Sequence, residues 1–397
     1  MTRLWDKGMP LDDQILRFTA GEDHRLDERL VKYDVLASIA HARMLNGQGL
    51  LGDDDCTAIC DALSALEREH RRGDWSIQLD EEDVHSALES RLLERIGPAG
   101  GRVHLGRSRN DQVLAALRLY MKDAAAELAE AAERVAAELE ALADRQGPIK
   151  LPGYTHMQPA MPSAVGLWAG GFATEIRDDA EGLRIARRRA DSNPLGSAAG
   201  YGTPGLALDR DATRAALGFE RIHEPVTAVQ LSRGKAEAGL IFEITLLLGD
   251  LGRLAADLLL FYTQEFAFVS LPETMTTGSS IMPQKRNPDV FELVRSAQAV
   301  ATAALMEAVS ITAKLTSGYH RDLQRIKAPL FRSIDLARDT LAVMAHALPG
   351  VEFRPEKIAL SEELDAAERA NELVVKEGIP FREAYRRIAA ALRGADR

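Results

Sequence analysis

Between residues 111 and 146 the chain contains neither glycine nor proline. Alanine, leucine, glutamate and arginine dominate the run, and all four favour helix. A continuous helix over it would extend about 50 Å at the usual rise. That is well beyond an ordinary globular helix. Its apolar face needs partners of similar length, so the run points to a long bundle. Gly147-Pro148 ends it.

The flanking sequence repeats the theme. Leu30, Val31, Tyr33, Val35, Ile39 and Met44 step at helical intervals. Residues 53–71 predict a second helix and 82–96 a third, closed by Gly97-Pro98. Helical patterns follow from 159 to 190, from 228 to 263, from 289 to 317 and from 329 to 349. Residues 1–30 and 192–225 read as irregular, and 353–397 as a short helical module turning at Gly378-Ile379-Pro380. Aromatic residues make up only 5% of the chain, which favours helices over strands. The expected fold class is all-α, a central bundle of roughly five long helices between two smaller helical domains. The expected boundaries are 1–105, 106–348 and 349–397.

Composition excludes several classes. A net charge of −11 argues against broad nucleic-acid binding. The most apolar run, residues 238–262, carries Glu243, Asp250, Arg253 and Asp257, too many charges for a membrane span. Residues 1–7 contain no apolar leader core, so a cytoplasmic protein is expected. Cys56 and Cys60 have no second ligand pair for a metal and read as two reduced thiols. Gly200-Tyr-Gly-Thr-Pro-Gly205 matches a dinucleotide fingerprint by letter, but no βαβ pattern surrounds it.

Polar segments at the helix ends carry the chemistry. Thr277-Gly-Ser-Ser-Ile-Met-Pro-Gln-Lys-Arg-Asn-Pro-Asp289 offers hydroxyls at Ser279 and Ser280, cations at Lys285 and Arg286, and a hinge at Gly278. Hydroxyl plus cation suits proton abstraction from an anionic carbon acid. The alternative is a surface connection in which Asn287 merely caps the next helix. His104–Gln112 holds Arg107 and Arg109, whose guanidinium forks suit carboxylates, beside Ser108 and Asn110, either of which could be a helix cap. Thr155-His156, between Pro152-Gly153 and Pro159, presents a candidate acid or base, or a structural histidine. In Tyr319–Lys327, Gln324 and Lys327 would share a helical face, functional or merely charged.

These segments together resemble the fumarase/aspartase superfamily. Gly278-Ser279-Ser280-Ile281-Met282-Pro283-Gln284-Lys285-Arg286-Asn287 matches its signature G-S-S-x-M-P-x-K-x-N. The argininosuccinate lyase branch is marked by Gly106–Gln112, by Pro152–Gln158, and by the spacing of Tyr319, Gln324 and Lys327. The resemblance implies reversible β-elimination of argininosuccinate to fumarate and arginine, with no metal or organic cofactor. It implies Ser279 as base, Lys285 and Asn287 as holders of the carbanion, His156 as acid and Glu292 as its orienting carboxylate. It assigns substrate contacts to Arg109, Asn110, Thr155, Gln158, Tyr319, Gln324 and Lys327, in a homotetramer whose sites are shared between subunits. Two segments depart from the family pattern. Phe18-Thr-Ala-Gly-Glu-Asp23 stands where many members carry a serine after Phe-Asn, and Gln230–Lys235 replaces a Ser-Asp-Arg-Asp run. The tail is also short. Another carbon–nitrogen lyase and a non-enzymatic structural relative are the alternatives.

Overall fold

The computed structural model describes residues 12–395, so the leader reading of residues 1–7 lies outside the described residues. Helices dominate. The chain runs through α1 (Asp13–Ala20), α2 (Val31–Gly47), α3 (Asp53–Arg71), α4 (Val84–Ile96) and α5 (Arg109–Gln146). After α5 come strands β1 (Lys150–Thr155) and β2 (Gln158–Ala164) and helix α6 (Val165–Ala190). Then follow α7 (Arg210–Ala216), α8 (Lys235–Tyr262), α9 (Asp289–Thr312), α10 (Lys327–Ala347), α11 (Ala366–Glu377) and α12 (Phe381–Ala395). Five helices are long: α5, α6, α8, α9 and α10 have 38, 26, 28, 24 and 21 residues. The all-α class is as expected.

Two expectations need correction. Residues 13–30 are ordered, with α1 capped by the Asp12 carboxylate on Gln14 N and Ile15 N, and with helical turns at Asp23–Leu26 and Asp27–Leu30. The segment after α5 is an antiparallel hairpin, with Lys150 paired to Ala164 and Thr155 to Gln158.

The chain divides into two compact units. The first comprises Met1–Ala129, Glu181–Thr245 and Ala299–Leu336. There α2 and α3 bury Val35, Leu45, Ile59, Leu63 and Leu66 against each other, with Leu88 and Leu92 of α4. Arg118 of α5 is 2% exposed, and its terminal nitrogens donate to Ser192 O at 2.6 Å, Ser232 Oγ at 2.7 Å and His223 Nδ1 at 3.0 Å. These bonds offset part of the cost of burying the charge.

The second unit comprises Glu130–Ala180, Leu246–Gln298 and Ala337–Arg397. Along its part of α5, Ala132, Val135, Leu139 and Leu142 are buried at alternating three- and four-residue steps, the seam of a bundle helix. Arg177 of α6 pairs with Glu133 and Glu140 of α5. Trp168 of α6 donates to Asp257 of α8 at 2.9 Å. At the end of α5 the Gln146 amide accepts from Phe353 N at 2.7 Å and donates to Val351 O at 3.2 Å, tying the tail module to the bundle.

Candidate active site

The first unit builds a small charged cleft. Its entry is the start of α5, where Ser108 and Asp111 form a reciprocal cap: Ser108 Oγ accepts from Asn110 N at 3.3 Å and Asp111 from Ser108 N at 3.0 Å. Ser108 is therefore the cap, which leaves the Asn110 side chain to line the cleft. Asp111 also accepts from Gly196 N and Ala198 N, at 3.1 and 2.8 Å, and fixes the following loop to the helix.

Arg109, Asn110, Tyr319, Gln324 and Lys327 line this cleft together, with Asp23, Asp83, Val113 and Arg233. Five residues singled out in the sequence, from two stretches about 210 residues apart, thus line one cleft. The acids in their company were not foreseen. Arg109 Nε lies 2.6 Å from Asp83, and its terminal nitrogens 3.4 Å from Glu82. Asp83 also caps α4, accepting from Ser86 N at 2.9 Å. Burial would raise the Asp83 carboxyl, but Arg109 and His85 outweigh it and hold the group below its usual range.

Lys327 is 3% exposed and spans Asp27 at 2.7 Å and Asp23 at 2.8 Å. Burial pushes Asp23 up to about 7 despite the lysine, and Asp27 is raised for the same reason. Burial pulls the Lys327 ammonium down, but the two carboxylates reverse this and keep it charged. Gln324 Nε2 donates to Thr19 O and Ala20 O, at 3.0 and 3.1 Å. Both departing segments thus reach the cleft, one through Asp23 and the other through Arg233, whose guanidinium lies 6.0 Å from the Tyr319 ring centroid.

The second unit holds the other predicted residues. Thr155 and His156 are exposed near the tip of the hairpin, where His156 and Met157 adopt φ of 53° and 61°. Positive φ at both central residues is the two-residue turn that matches strand twist, and it normally selects Asn-Gly. A non-glycine residue there carries about 1–2 kcal/mol of strain, often found at functional positions. Gln158 is the first residue of β2 and exposed.

The Ser279 loop is closed at its base by Thr277 N to Asn287 O at 3.0 Å and Asn287 N to Thr277 O at 2.9 Å. Thr277 also donates to the Asp289 carboxylate in the first turn of α9. Asn287 Nδ2 reaches Thr277 Oγ1 and Gly278 O, both at 3.4 Å. Within this frame Ser279 Oγ accepts from Met282 N at 3.2 Å and Ile281 N at 3.4 Å. Two N–H dipoles on one hydroxyl oxygen stabilise negative charge there. Lys285 is exposed, as is Glu292 in the first turn of α9. Among the described residues no hydrogen bond or ion pair joins His156 to Ser279 or to Glu292.

Known proteins resemble this chain over nearly its whole length. A lyase family profile matches residues 13–302. An argininosuccinate lyase from Sorangium cellulosum is 47% identical over 98% of this chain and 90% of its own length. One from Thermotoga neapolitana is 40% identical over 98% of this chain and 97% of its own. Among solved structures, an EDDS lyase in complex with formate gives a TM-score of 0.81 at 24% identity, over 98% of this chain and 77% of that one. A class II fumarase from Schistosoma mansoni gives 0.79 at 18%, over 98% and 91%. At these identities the structural likeness establishes the fold alone. The sequence relatives, spanning nearly the whole chain, establish more: it belongs to the argininosuccinate lyase family of the fumarase/aspartase superfamily.

Proposed function

We propose that this chain splits argininosuccinate reversibly into fumarate and L-arginine, the closing step of arginine biosynthesis, with Ser279 as the base. The observation that carries the reading is the Ser279 hydroxyl beneath two backbone N–H groups, on a loop that also bears Lys285, in a chain 47% identical to an argininosuccinate lyase. A serine hydroxyl is a weak base in water. Preorganised dipoles and a nearby cation in a site closed to solvent make its alkoxide accessible.

Ser279 Oγ takes the proton from the succinyl carbon beside a carboxylate. The electron pair moves into that carboxylate, giving an aci-carboxylate held by Lys285 and Asn287. Collapse expels the guanidino nitrogen and forms the carbon–carbon double bond of fumarate. His156, oriented by Glu292, donates a proton to the leaving nitrogen. Arg109, Asn110, Thr155, Gln158, Tyr319, Gln324 and Lys327 bind the substrate. No metal or organic cofactor takes part.

We further infer a cytoplasmic homotetramer with active sites shared between subunits. Support comes from large apolar side chains exposed along the long helices: Leu167 at 72%, Phe242 at 46%, Leu293 at 71% and Met306 at 60%. No helix of the described residues is long and apolar enough to cross a membrane. The division at 1–105, 106–348 and 349–397 remains our proposal for the functional segments.

A second reading, another carbon–nitrogen lyase with a different amine half, is favoured by one observation. Asp23 and Arg233, from the two segments that depart from the family pattern, both line the cleft. Initial rates of fumarate formation from argininosuccinate and from a panel of other N-substituted aspartates separate the two. The first reading expects argininosuccinate to have the highest kcat/KM. A higher value for another adduct, with argininosuccinate inert, would select the second.

A further inference from the structure

Helix α4 carries His85 and Glu89 one turn apart, and the turn Arg102–His104 brings His104 against them. His85 and Glu89 are 2% and 5% exposed. The two imidazoles stack with centroids 5.6 Å apart. His85 Nε2 lies 3.8 Å from Glu89 Oε2, and His104 Nδ1 lies 3.6 Å from the same oxygen. One ligand atom from each residue lies within 4.8 Å of the other two. Neither separation is a hydrogen bond. Among the described residues, both His85 nitrogens, Glu89 Oε2 and His104 Nδ1 have no hydrogen-bond partner. Buried polar atoms without a partner are uncommon in folded proteins and call for a ligand, an ion or a water.

We propose that His85, Glu89 and His104 form a site for a divalent transition-metal ion of the zinc class, which ties α4 to the segment leading into α5. Two imidazoles and a carboxylate are a borderline-soft ligand set that suits zinc and its neighbours. Magnesium and calcium prefer all-oxygen sites. Bonds of about 2.1 Å give a tetrahedron with edges of about 3.4 Å. The two imidazole–carboxylate separations need to contract by only a few tenths of an ångström, and the two imidazole nitrogens, within 4.8 Å of each other, by up to about 1.4 Å through rotation of the partly exposed His104 ring. The His104 side chain is 37% exposed and gives solvent access to a fourth position.

The Arg107 guanidinium bears on all three groups and opposes a dication. It is itself offset by Asp34 and Asp111, which moderates but does not cancel that penalty. The ion would act by position and not in the elimination itself. His104 precedes Arg109 and Asn110 by less than two helical turns of chain, so the metal would fix the entry that presents both to the cleft.

The test uses the full chain stripped with a chelator and returned to metal-free buffer. Calorimetric titration with zinc(II) is expected to show one ion per chain, and cobalt(II) to give visible d–d absorption. Glu89→Gln and His104→Ala should each weaken zinc binding at least tenfold. Zinc should raise the thermal midpoint of the parent chain but not of His104→Ala. His104 is partly exposed, so that variant is expected to fold, with far-ultraviolet circular dichroism as the check. No uptake would overturn the proposal and leave bound water as the bridge. Uptake unaltered in both variants would overturn it equally, because the ion would then sit elsewhere.

Discussion

Replacing Lys327 by methionine removes the cation that spans Asp23 and Asp27. The ammonium lies 2.8 and 2.7 Å from the two carboxylates, whose side chains are 8% and 0% exposed. Removing one partner of a buried ion pair destabilises by about 3–5 kcal/mol, because the remaining charge is neither solvated nor paired. If the 397-residue chain unfolds as one unit, that corresponds to a fall in midpoint of about 4–6 °C. The pH dependence is more diagnostic than the size. Asp23 is already pushed up to about 7 from 3.8, and Asp27 is raised too, with Lys327 restraining both. Without the lysine both rise further. An acid with a raised folded pKa lends stability that is full below its unfolded value and is lost as pH rises through its folded value. The deficit of Lys327→Met should therefore be small near about pH 5 and large near about pH 8. Denaturant unfolding at several pH values measures it, and Asp27→Asn in the same chain should recover part of the loss. A deficit that is constant with pH, or larger in acid, would refute the charge argument.

Three further outcomes follow from local geometry. Met157→Gly should stabilise the chain by about 0.5–1 kcal/mol in urea unfolding, since Met157 is 67% exposed and holds φ at 61°. Destabilisation would mean the turn is not left-handed there. Gly234→Ala should destabilise the chain by more than about 2 kcal/mol in urea unfolding, because its Cβ would fall 2.4 Å from Thr312 Cγ2 at φ of +85°. Stability equal to the parent would contradict that packing. Mixing inactive Ser279→Ala and His156→Asn subunits should restore part of the activity if sites are shared, and mixed assemblies without recovery would argue against sharing.

Much of the fold was legible because helix signals are local. The helix expected over residues 53–71 has those bounds, and Gly147 marked the end of α5. The hairpin was not legible: Pro152, Pro159 and Pro162 lie inside its strands, and His-Met stands where Asn-Gly would announce the turn. Helix α1 was missed although Asp12 supplied a cap signal. In the cleft the cations were legible from motif resemblance, whereas their acids were not. Asp27 is 300 residues from Lys327, and no local pattern joins them. The i,i+4 spacing of Asp23 and Asp27, and the acidic run ending at Asp83, were the available hints. Likewise His85 and Glu89 share a helical face visibly, but His104 joins them only through the fold.

The most direct test of the catalytic account is to supply argininosuccinate to the purified chain and follow fumarate by ultraviolet absorbance and arginine by chromatography. Ser279→Ala runs beside it, checked for an unchanged circular dichroism spectrum. The account predicts equimolar fumarate and arginine from the parent chain. It predicts turnover reduced by about 10²–10⁴-fold in Ser279→Ala, with KM little changed. Failure of the folded parent chain to release fumarate, or near-parental turnover without the Ser279 hydroxyl, would contradict it.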